Sequence, residues 1–259
     1  ITGFYEHAHH LLNVDKAIKF GRAVAEFEEG RVVLGQCPGA RLPVPVYESA
    51  FMLAALLEEK GKRDRVRITV VTPQTLESEL GDPGAAFALK RALEDHGIEL
   101  VINSPIEALT SHFAVTSMRR TIDFDLLMLV PPFCGSSAAG YLGVIDPDRY
   151  IDVDLHMRVF GHDRLYAAGD CVNIAGPKMG HMAIRQAEVA AENLAAEIEG
   201  HEPSVIYSHE MRFVIDEVGG NGLYLHKDLT GNEVATVRQG RFWSWAKLAQ
   251  QKYWEAKHS

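Results

Sequence analysis

The residues best suited to chemistry lie in one short stretch, "RLYAAGDCVNIAGPKMGHMAIRQAE", residues 164–188. In it, Asp170 follows Gly169 at the end of a predicted apolar strand. A carboxylate in that position can accept hydrogen bonds from the hydroxyl groups of a bound polyol or ribose. The glycine allows a ligand to approach closely because it has no Cβ. We therefore predict a ligand-binding turn at these two residues.

A predicted helix begins just after this turn and provides a second binding feature. Its first turn holds Met179, Gly180 and His181, and Lys178 comes directly before it. Backbone N–H groups at a helix start lack helical partners and carry a partial positive charge. A phosphate or an electron-rich ring would be favoured there. A plain strand-end turn remains the alternative for "AAGD" alone, whereas the whole stretch is more specific.

The elements before this stretch alternate between strand and helix. Short apolar strands are predicted at residues 31–35, 66–72 and 98–102, with helices between them, the second of which is capped by Asp82. This order at this spacing predicts a parallel sheet in a Rossmann-like α/β unit. Residues 106–130 follow as short strand segments, and a proline pair ends the last of them.

The helix that begins near Met179 is predicted to carry a face rich in alanine. The members of that face are Ala183, Ala187, Ala190, Ala191, Leu194, Ala195 and Ile198. Gly200 ends the helix, and after Pro203 the composition changes to a glycine-rich turn and a tail rich in tryptophan and lysine. The tail is therefore predicted to be a separate C-terminal region.

The composition is that of an ordinary globular protein. The chain has 259 residues, of which 47% are hydrophobic and 24% are charged, enough for one large or two modest domains. The formal net charge of −9 argues against a nucleic-acid partner, because no basic tract offsets it. No run reaches the roughly 20 apolar residues of a membrane-spanning helix.

The three cysteines, Cys37, Cys134 and Cys171, are too few and too scattered for a disulfide framework or a zinc cluster. We therefore predict a reducing, cytoplasmic environment. The histidines of "EHAHH" (residues 6–10) have no further ligands at metal-binding spacing, so no metal site is predicted.

The string "RLYAAGDCVN…GPKMGHMAIRQAEVAAENLAAEI" resembles the second flavin-binding motif of the pyridine nucleotide–disulfide oxidoreductase superfamily. The segments "GFYEHAHHLLNVDKA", "ARLPVPVYESAFML" and "LLMLVPPFCG" resemble, in order, the branch of sulfide:quinone oxidoreductases, flavocytochrome c sulfide dehydrogenases and type II NADH dehydrogenases. The likeness covers nearly the whole chain. It implies an α/β fold with two Rossmann-like three-layer domains that bind FAD and NAD(P), the first of them incomplete, and a C-terminal interface region.

The resemblance also implies domain boundaries. They are the end of the FAD domain and a linker at residues 1–15, a degenerate NAD(P)-binding domain at 16–123, a returning FAD-binding segment at 124–200, and an interface or membrane-facing region at 201–259. The chain begins without a methionine. We expect a glycine-rich FAD-binding half to precede it.

The resemblance assigns site residues as well. It implies that Asp170 binds the ribitol hydroxyls of FAD and that Gly169 permits this contact. Gln186 would face a quinone pocket. The residues implied to lie near the isoalloxazine ring are Lys178, Met179, Gly180, His181 and Pro132 with its neighbour Pro131. The implied partners are a quinone or an electron-carrier protein, and a second copy of the chain.

Two features depart from the family. The places of G-x-G-x-x-G after the first strand hold Gly35, Cys37 and Ala40, and the next strand ends in Thr72 and Pro73 without an acidic residue. Both requirements for binding NAD(P)H therefore fail.

The second departure concerns thiol chemistry. The redox cysteines of the sulfide:quinone branch match positions near Leu42 and Phe213, which cannot react as thiols. Cys37 and Cys134 are candidate substitutes, and Lys178 is a third candidate for catalysis. The alternative for each cysteine is a small buried hydrophobe, and Cys171 is assigned to packing.

The sequence thus predicts an FAD-dependent oxidoreductase of the sulfide:quinone type that passes two electrons through the flavin to a quinone or an electron carrier. Replacement of both cysteines argues against sulfide as the donor. One alternative is a type II NADH:quinone dehydrogenase. Another is a non-catalytic fragment without flavin, because no G-x-G-x-x-G occurs in the 259 residues.

The C-terminal tail has its own alternatives. Its tryptophans Trp243, Trp245 and Trp254 alternate with Lys247 and Lys252. Such a pattern suits peripheral contact with a membrane interface. The same residues could instead pack on the flavin domain or on a second subunit.

Overall fold

A computed structural model describes residues 1–135, 137–143, 145, 150–230 and 234–258. The chain forms two compact units. The first contains residues 1–132, 212–225 and 235–259, and the second contains residues 133–211 and 226–234. The four-segment division expected from the sequence stays a prediction.

The elements confirm the predicted α/β class. The helices are α1 (Phe4–His7), α2 (Val14–Glu26), α3 (Val44–Glu59), α4 (Leu76–Leu80), α5 (Pro83–Asp95), α6 (Gly180–Ile198) and α7 (Arg241–His258). The strands are β1 (Gly30–Gln36), β2 (Val66–Val71), β3 (Glu99–Val101), β4 (Ile106–Leu109), β5 (Phe113–Thr116), β6 (Thr121–Asp123), β7 (Leu126–Val130), β8 (Glu210–Asp216), β9 (Gly222–Asp228) and β10 (Thr236–Gln239).

A four-stranded parallel sheet of order β3-β2-β1-β7 forms the centre of the first unit. Strand β1 is buried along its carboxyl-terminal half, as expected of a parallel strand covered on both faces. Helix α3 packs on the sheet through fully buried side chains that include Tyr47, Phe51 and Ala54. The predicted strands and helices of this unit are confirmed.

Two smaller sheets complete the described strands. Strands β4, β5 and β6 form an antiparallel sheet, and strands β8, β9 and β10 form a third sheet of order β10-β9-β8. The C-terminal helix α7 is held by a hydrogen-bonded group in the first unit. Glu48 accepts hydrogen bonds from the Asp216 N–H at 2.8 Å and from the Lys247 ammonium.

The second unit is built around α6 and a mostly irregular segment. The prediction of a strand before Asp170 is wrong. Within residues 164–168, the described backbone forms only one isolated bridge, between Arg158 and Tyr166. The core of the second unit contains Met157, Val172 and other side chains that pack against α6.

The alanine-rich face of α6 is not its buried face. The buried side chains of this helix are Met182, Gln186, Val189 and Asn193, whereas Ile198 is 79% exposed. The cause is polar: Asn193 accepts hydrogen bonds from the N–H groups of Ser204 and Val205 at 3.0 Å. An alanine could not satisfy these backbone groups, so the amide side chain takes the inner face.

Candidate functional site

The predicted turn has a conformation that favours glycine. Gly169 has φ of 86° and donates its N–H to Gln186 Oε1 at 2.7 Å. A Cβ added to Gly169 would lie 3.6 Å from the Ala183 Cβ, which is ordinary contact, so the dihedral angle rather than crowding by the protein favours glycine here. The next side chain, Asp170, is exposed. Its carboxylate is therefore available to a ligand. We call residues 169–176 the site loop.

Helix α6 begins shortly after the site loop. Met179 is the N-cap residue, and among the described residues no side chain caps the helix start. The backbone N–H groups of the first turn are therefore suited to bind an electron-rich group. Gly180 and His181 are the first two residues of this helix.

Lys178 contributes positive charge from a buried position. Its ammonium donates a hydrogen bond to the Val172 carbonyl oxygen and lies 4.9 Å from the centroid of the Tyr150 ring. Such a cation–π contact stabilises the charge while it is shielded from water. Lys178 therefore anchors the chain next to the site loop and adds to the positive end of α6.

The structure brings most of the predicted flavin-binding residues to one pocket. The lining residues are Gly169, Asp170, Ile174, Pro177, Lys178, Met179, Met182, Ala183, Gln186 and His209. The pocket encloses only about 10 Å³, roughly the space of one water molecule. A larger ligand would therefore lie across the outside of this pocket, against Asp170 and the helix start.

The two candidate redox cysteines are in different environments. Cys37 lies in a hydrophobic cluster with Val33 and Leu127, and burial raises its pKa to about 11. It is therefore a neutral thiol at pH 7, which agrees with the packing alternative. Cys134 is exposed, and Cys171 is half-buried with its Sγ donating to the Ala168 carbonyl oxygen at 3.2 Å.

The remaining predicted residues fall outside this pocket. Pro132 follows β7 and is exposed in the first unit. Leu42 precedes α3, and Phe213 lies in β8. Within the part of the chain that is described, no group of three His, Cys, Asp or Glu residues could hold a metal ion.

Sequence reasoning missed Tyr207 and His209. Both are buried, and His209 lines the pocket with its Nε2 atom 2.6 Å from the Ala175 carbonyl oxygen. The only sequence signal was their spacing, since residues two apart in an extended segment point to the same side. Burial lowers the pKa of His209, so the imidazole is neutral at pH 7.

Helix α7 has two different faces. Trp243 stacks on Tyr224 with ring centroids 4.0 Å apart, and Lys247 donates to the Val214 carbonyl oxygen at 3.2 Å. The large exposed side chains of the helix are Phe242, Trp245, Leu248 and Tyr253. No helix in the described ranges is long and apolar enough to cross a membrane.

Comparison with known proteins identifies the family. The family model described as pyridine nucleotide-disulphide oxidoreductase matches residues 49–192, more than half of the chain. The chain belongs to this family, whose members are FAD-binding oxidoreductases. This confirms the resemblance drawn from the flavin motif.

Individual relatives agree with this assignment. An NADH oxidase of Methanocaldococcus jannaschii is 27% identical over an alignment of 214 residues, and the match covers 77% of this chain and 47% of that protein. The chain thus spans about half the length of this curated relative.

Solved structures show the same fold. The sulfide:quinone oxidoreductase of the hyperthermophilic bacterium Aquifex aeolicus superposes with a TM-score of 0.89 at 20% identity, covering 99% of this chain and 65% of that one. A NAD-dependent persulfide reductase from A. fulgidus gives 0.63 at 21% identity, covering 87% and 41%.

The residues present fit one side of an FAD site. An exposed carboxylate follows a left-handed glycine, and a helix start lies within the same pocket lining. The carboxylate matches the hydroxyls of the cofactor, and the helix start matches the hydrogen-bond acceptors of its ring.

Proposed function

We propose that the chain is part of an FAD-dependent oxidoreductase of the sulfide:quinone oxidoreductase-like type. The observation that carries this proposal is the convergence of Gly169, Asp170 and the start of α6 on one pocket in a chain of this family. The likeness to the Aquifex aeolicus enzyme over 99% of the chain supports the same type.

The side chains have distinct roles in this proposal. Asp170 would accept hydrogen bonds from the ribitol hydroxyls, and the N–H groups that follow Met179 would face the ring. Lys178 would hold positive charge beside them from its buried position. Gln186 would keep the Gly169 N–H oriented through their 2.7 Å hydrogen bond. When bound, FAD would supply two-electron chemistry between a donor and a quinone or an electron carrier.

The carboxyl ends of β1 and β2 support a donor other than NADH. A Cβ added to Gly35 would lie 2.6 Å from the Val71 carbonyl oxygen, so the neighbouring strand alone accounts for this glycine. After β2, the Thr72 hydroxyl donates to the Gln74 carbonyl oxygen at 2.6 Å and is fully buried. No carboxylate ends this strand to bind a ribose, as NAD sites require.

Anaerobic reduction of the reconstituted protein tests the proposal. The purified protein is incubated with FAD, and absorbance near the flavin band, at roughly 450 nm, is followed after addition of sulfide or NADH. We expect FAD to bind, NADH to react slowly and a soluble quinone to reoxidise the chemically reduced protein. A colourless protein after incubation would instead support the non-catalytic alternative.

The second candidate is a type II NADH dehydrogenase-like enzyme, and the NADH oxidase relative favours it. Rapid bleaching by NADH in the same experiment would replace our proposal with this one. Sulfide is expected to react slowly, because Leu42 and Phe213 provide no thiol. A fast reaction with sulfide that is lost in Cys37→Ser would assign that role to Cys37.

We further propose that α7 provides a peripheral contact with a membrane surface. Phe242, Trp245 and Tyr253 are exposed on the face opposite the docked side chains. Aromatic side chains next to lysines favour the interface between lipid and water.

A further inference from the structure

Two side chains hold the two ends of the site loop, and a third side chain supports one of them. At one end, Gln186 Oε1 accepts the Gly169 N–H at 2.7 Å. At the other end, His209 Nε2 lies 2.6 Å from the Ala175 carbonyl oxygen. Tyr207 supports His209, because its hydroxyl lies 3.2 Å from His209 Nδ1.

The chemistry of the groups fixes the direction of each hydrogen bond. A carbonyl oxygen only accepts, so His209 Nε2 carries the hydrogen and donates to Ala175. In a neutral imidazole Nδ1 is then an acceptor, and the Tyr207 hydroxyl donates to it. This arrangement requires the neutral form of His209.

The glycines at the loop ends lie against these side chains. Gly169 and Gly176 both have left-handed dihedral angles, with φ of 86° and 89°. A Cβ added to Gly176 would lie 3.3 Å from His209 Nε2, so this end of the loop packs directly on the imidazole. The side chains of Gln186, Tyr207 and His209 are all buried.

We infer that Gln186, Tyr207 and His209 form a positioning device: together they hold both ends of the site loop and so fix where the Asp170 carboxylate meets FAD. The inference rests on the proposed FAD site. The residues act through the loop and do not need to touch the cofactor themselves.

The device responds to acid. The charged groups that act on His209 or Tyr207 are Lys178, Asp228, Glu210 and Arg185. Burial lowers the pKa of His209 from 6.5, and Lys178 lowers it further against the opposing effects of Ala175 and Asp228. A protonated imidazole would present an N–H to the Tyr207 hydroxyl and reverse their hydrogen bond. FAD affinity is therefore constant above pH 6.5 and falls in more acidic solution.

Substitution of His209 tests the device. FAD affinity of the purified protein is measured by flavin fluorescence at about pH 7.5 and pH 5.5. His209→Leu removes both hydrogen bonds and is expected to weaken FAD binding about ten-fold at the higher pH. His209→Gln keeps a neutral donor near Ala175, so it should restore most of the affinity and remove the acid-dependent loss.

A second readout does not require the cofactor. Amide hydrogen exchange of residues 169–176 is measured in the protein without FAD, and exchange should be faster in His209→Leu than in the wild type. His162→Gln is the matched control, because His162 is exposed in the same unit. This variant should leave both loop exchange and FAD affinity unchanged.

The outcomes separate the inference from the proposed function. If the wild type binds FAD and His209→Leu changes neither FAD affinity nor loop exchange, the inference is overturned and the proposed function stays intact. A wild-type protein that binds no FAD would overturn both. If His209→Leu does not fold, Tyr207→Phe replaces it, and unchanged loop exchange and affinity in that variant would overturn the inference.

Discussion

At the scale of single residues, the conformation of Gly169 determines where the site presents its negative charge. The left-handed backbone turns the chain so that Asp170 is exposed while the Gly169 N–H remains bonded to Gln186. The sequence identified both members of the turn because a glycine before a carboxylate is a recognisable pattern. It did not identify the role of Gln186 as a support for the turn, since that role depends on which face of α6 is buried.

Removal of the exposed carboxylate tests the assignment of this turn. Asp170→Ala should weaken FAD binding by about ten-fold or more, because hydrogen bonds to a charged acceptor are lost. Equilibrium dialysis against FAD measures the change. Asp163→Ala, at an exposed position in the same unit, serves as the control. Equal FAD affinity in the two variants would contradict a ribitol contact at Asp170.

A second residue, Glu79, makes the stability of the first unit depend on pH. Its Oε1 accepts the Tyr47 hydroxyl at 2.7 Å, its Oε2 is inaccessible to solvent, and burial raises its pKa to about 7. The folded state thus holds a proton that the unfolded state releases between pH 4.5 and about 7. The contribution of Glu79 to the free energy of unfolding of the wild type therefore falls as pH rises through that window.

Glu79→Gln stays neutral at every pH and keeps an acceptor for Tyr47. Its free energy of unfolding should exceed that of the wild type at about pH 8, by as much as about 3 kcal/mol, and the difference should shrink at about pH 5. Urea denaturation at the two pH values measures it. Glu77→Gln on the same helix is exposed and should show no such trend; a pH-independent difference for Glu79→Gln would refute this account.

At the scale of elements, the helices and strands that were predicted correctly are those with a single strong local signal in the sequence. Strands β1 and β2 are apolar runs between turn signals, and α5 begins after a capping residue, so each could be read from local sequence. Helix α6 differs because its buried face carries Gln186 and Asn193. A hydrophobic pattern cannot reveal that two amides face inward to satisfy backbone groups from distant residues.

The cap of α5 provides a test at this scale. Asp82 accepts the Ala85 N–H at 2.8 Å through Oδ1. Asp82→Ala should lower the free energy of unfolding by about 1 kcal/mol, and Asp82→Asn should lower it much less, because asparagine caps helices almost as well. Thermal unfolding followed by circular dichroism compares the two. Equal losses would show that the cap hydrogen bond does not stabilise this helix.

At the scale of the whole molecule, the chain combines a recognisable flavin motif with a parallel sheet whose first strand is not followed by the glycines of a dinucleotide-binding loop. The motif could be recognised because its residues are contiguous in sequence. The grouping of Gln186, Tyr207 and His209 around the site loop could not, because these residues are up to 23 positions apart in the sequence. Only the fold of the second unit brings them together.

The exposed face of α7 yields a prediction for the whole molecule. The purified protein should sediment with vesicles that contain anionic phospholipids, because aromatic side chains and lysines both favour that interface. Phe242→Glu combined with Trp245→Glu should reduce the bound fraction several-fold. Tyr5→Glu, at another exposed aromatic position, is the control. If the double variant and the control sediment equally, α7 does not contact the membrane.

Gly35 has a consequence for how the ancestry of this chain is inferred. The Val71 carbonyl oxygen leaves no space for a Cβ at Gly35, so a glycine is demanded there by the sheet even in a lineage that never uses a dinucleotide. Its presence cannot serve as a relic of lost cofactor binding. The residues that bear on nucleotide binding are instead Cys37 and Ala40, which stand where a phosphate-binding loop has glycine.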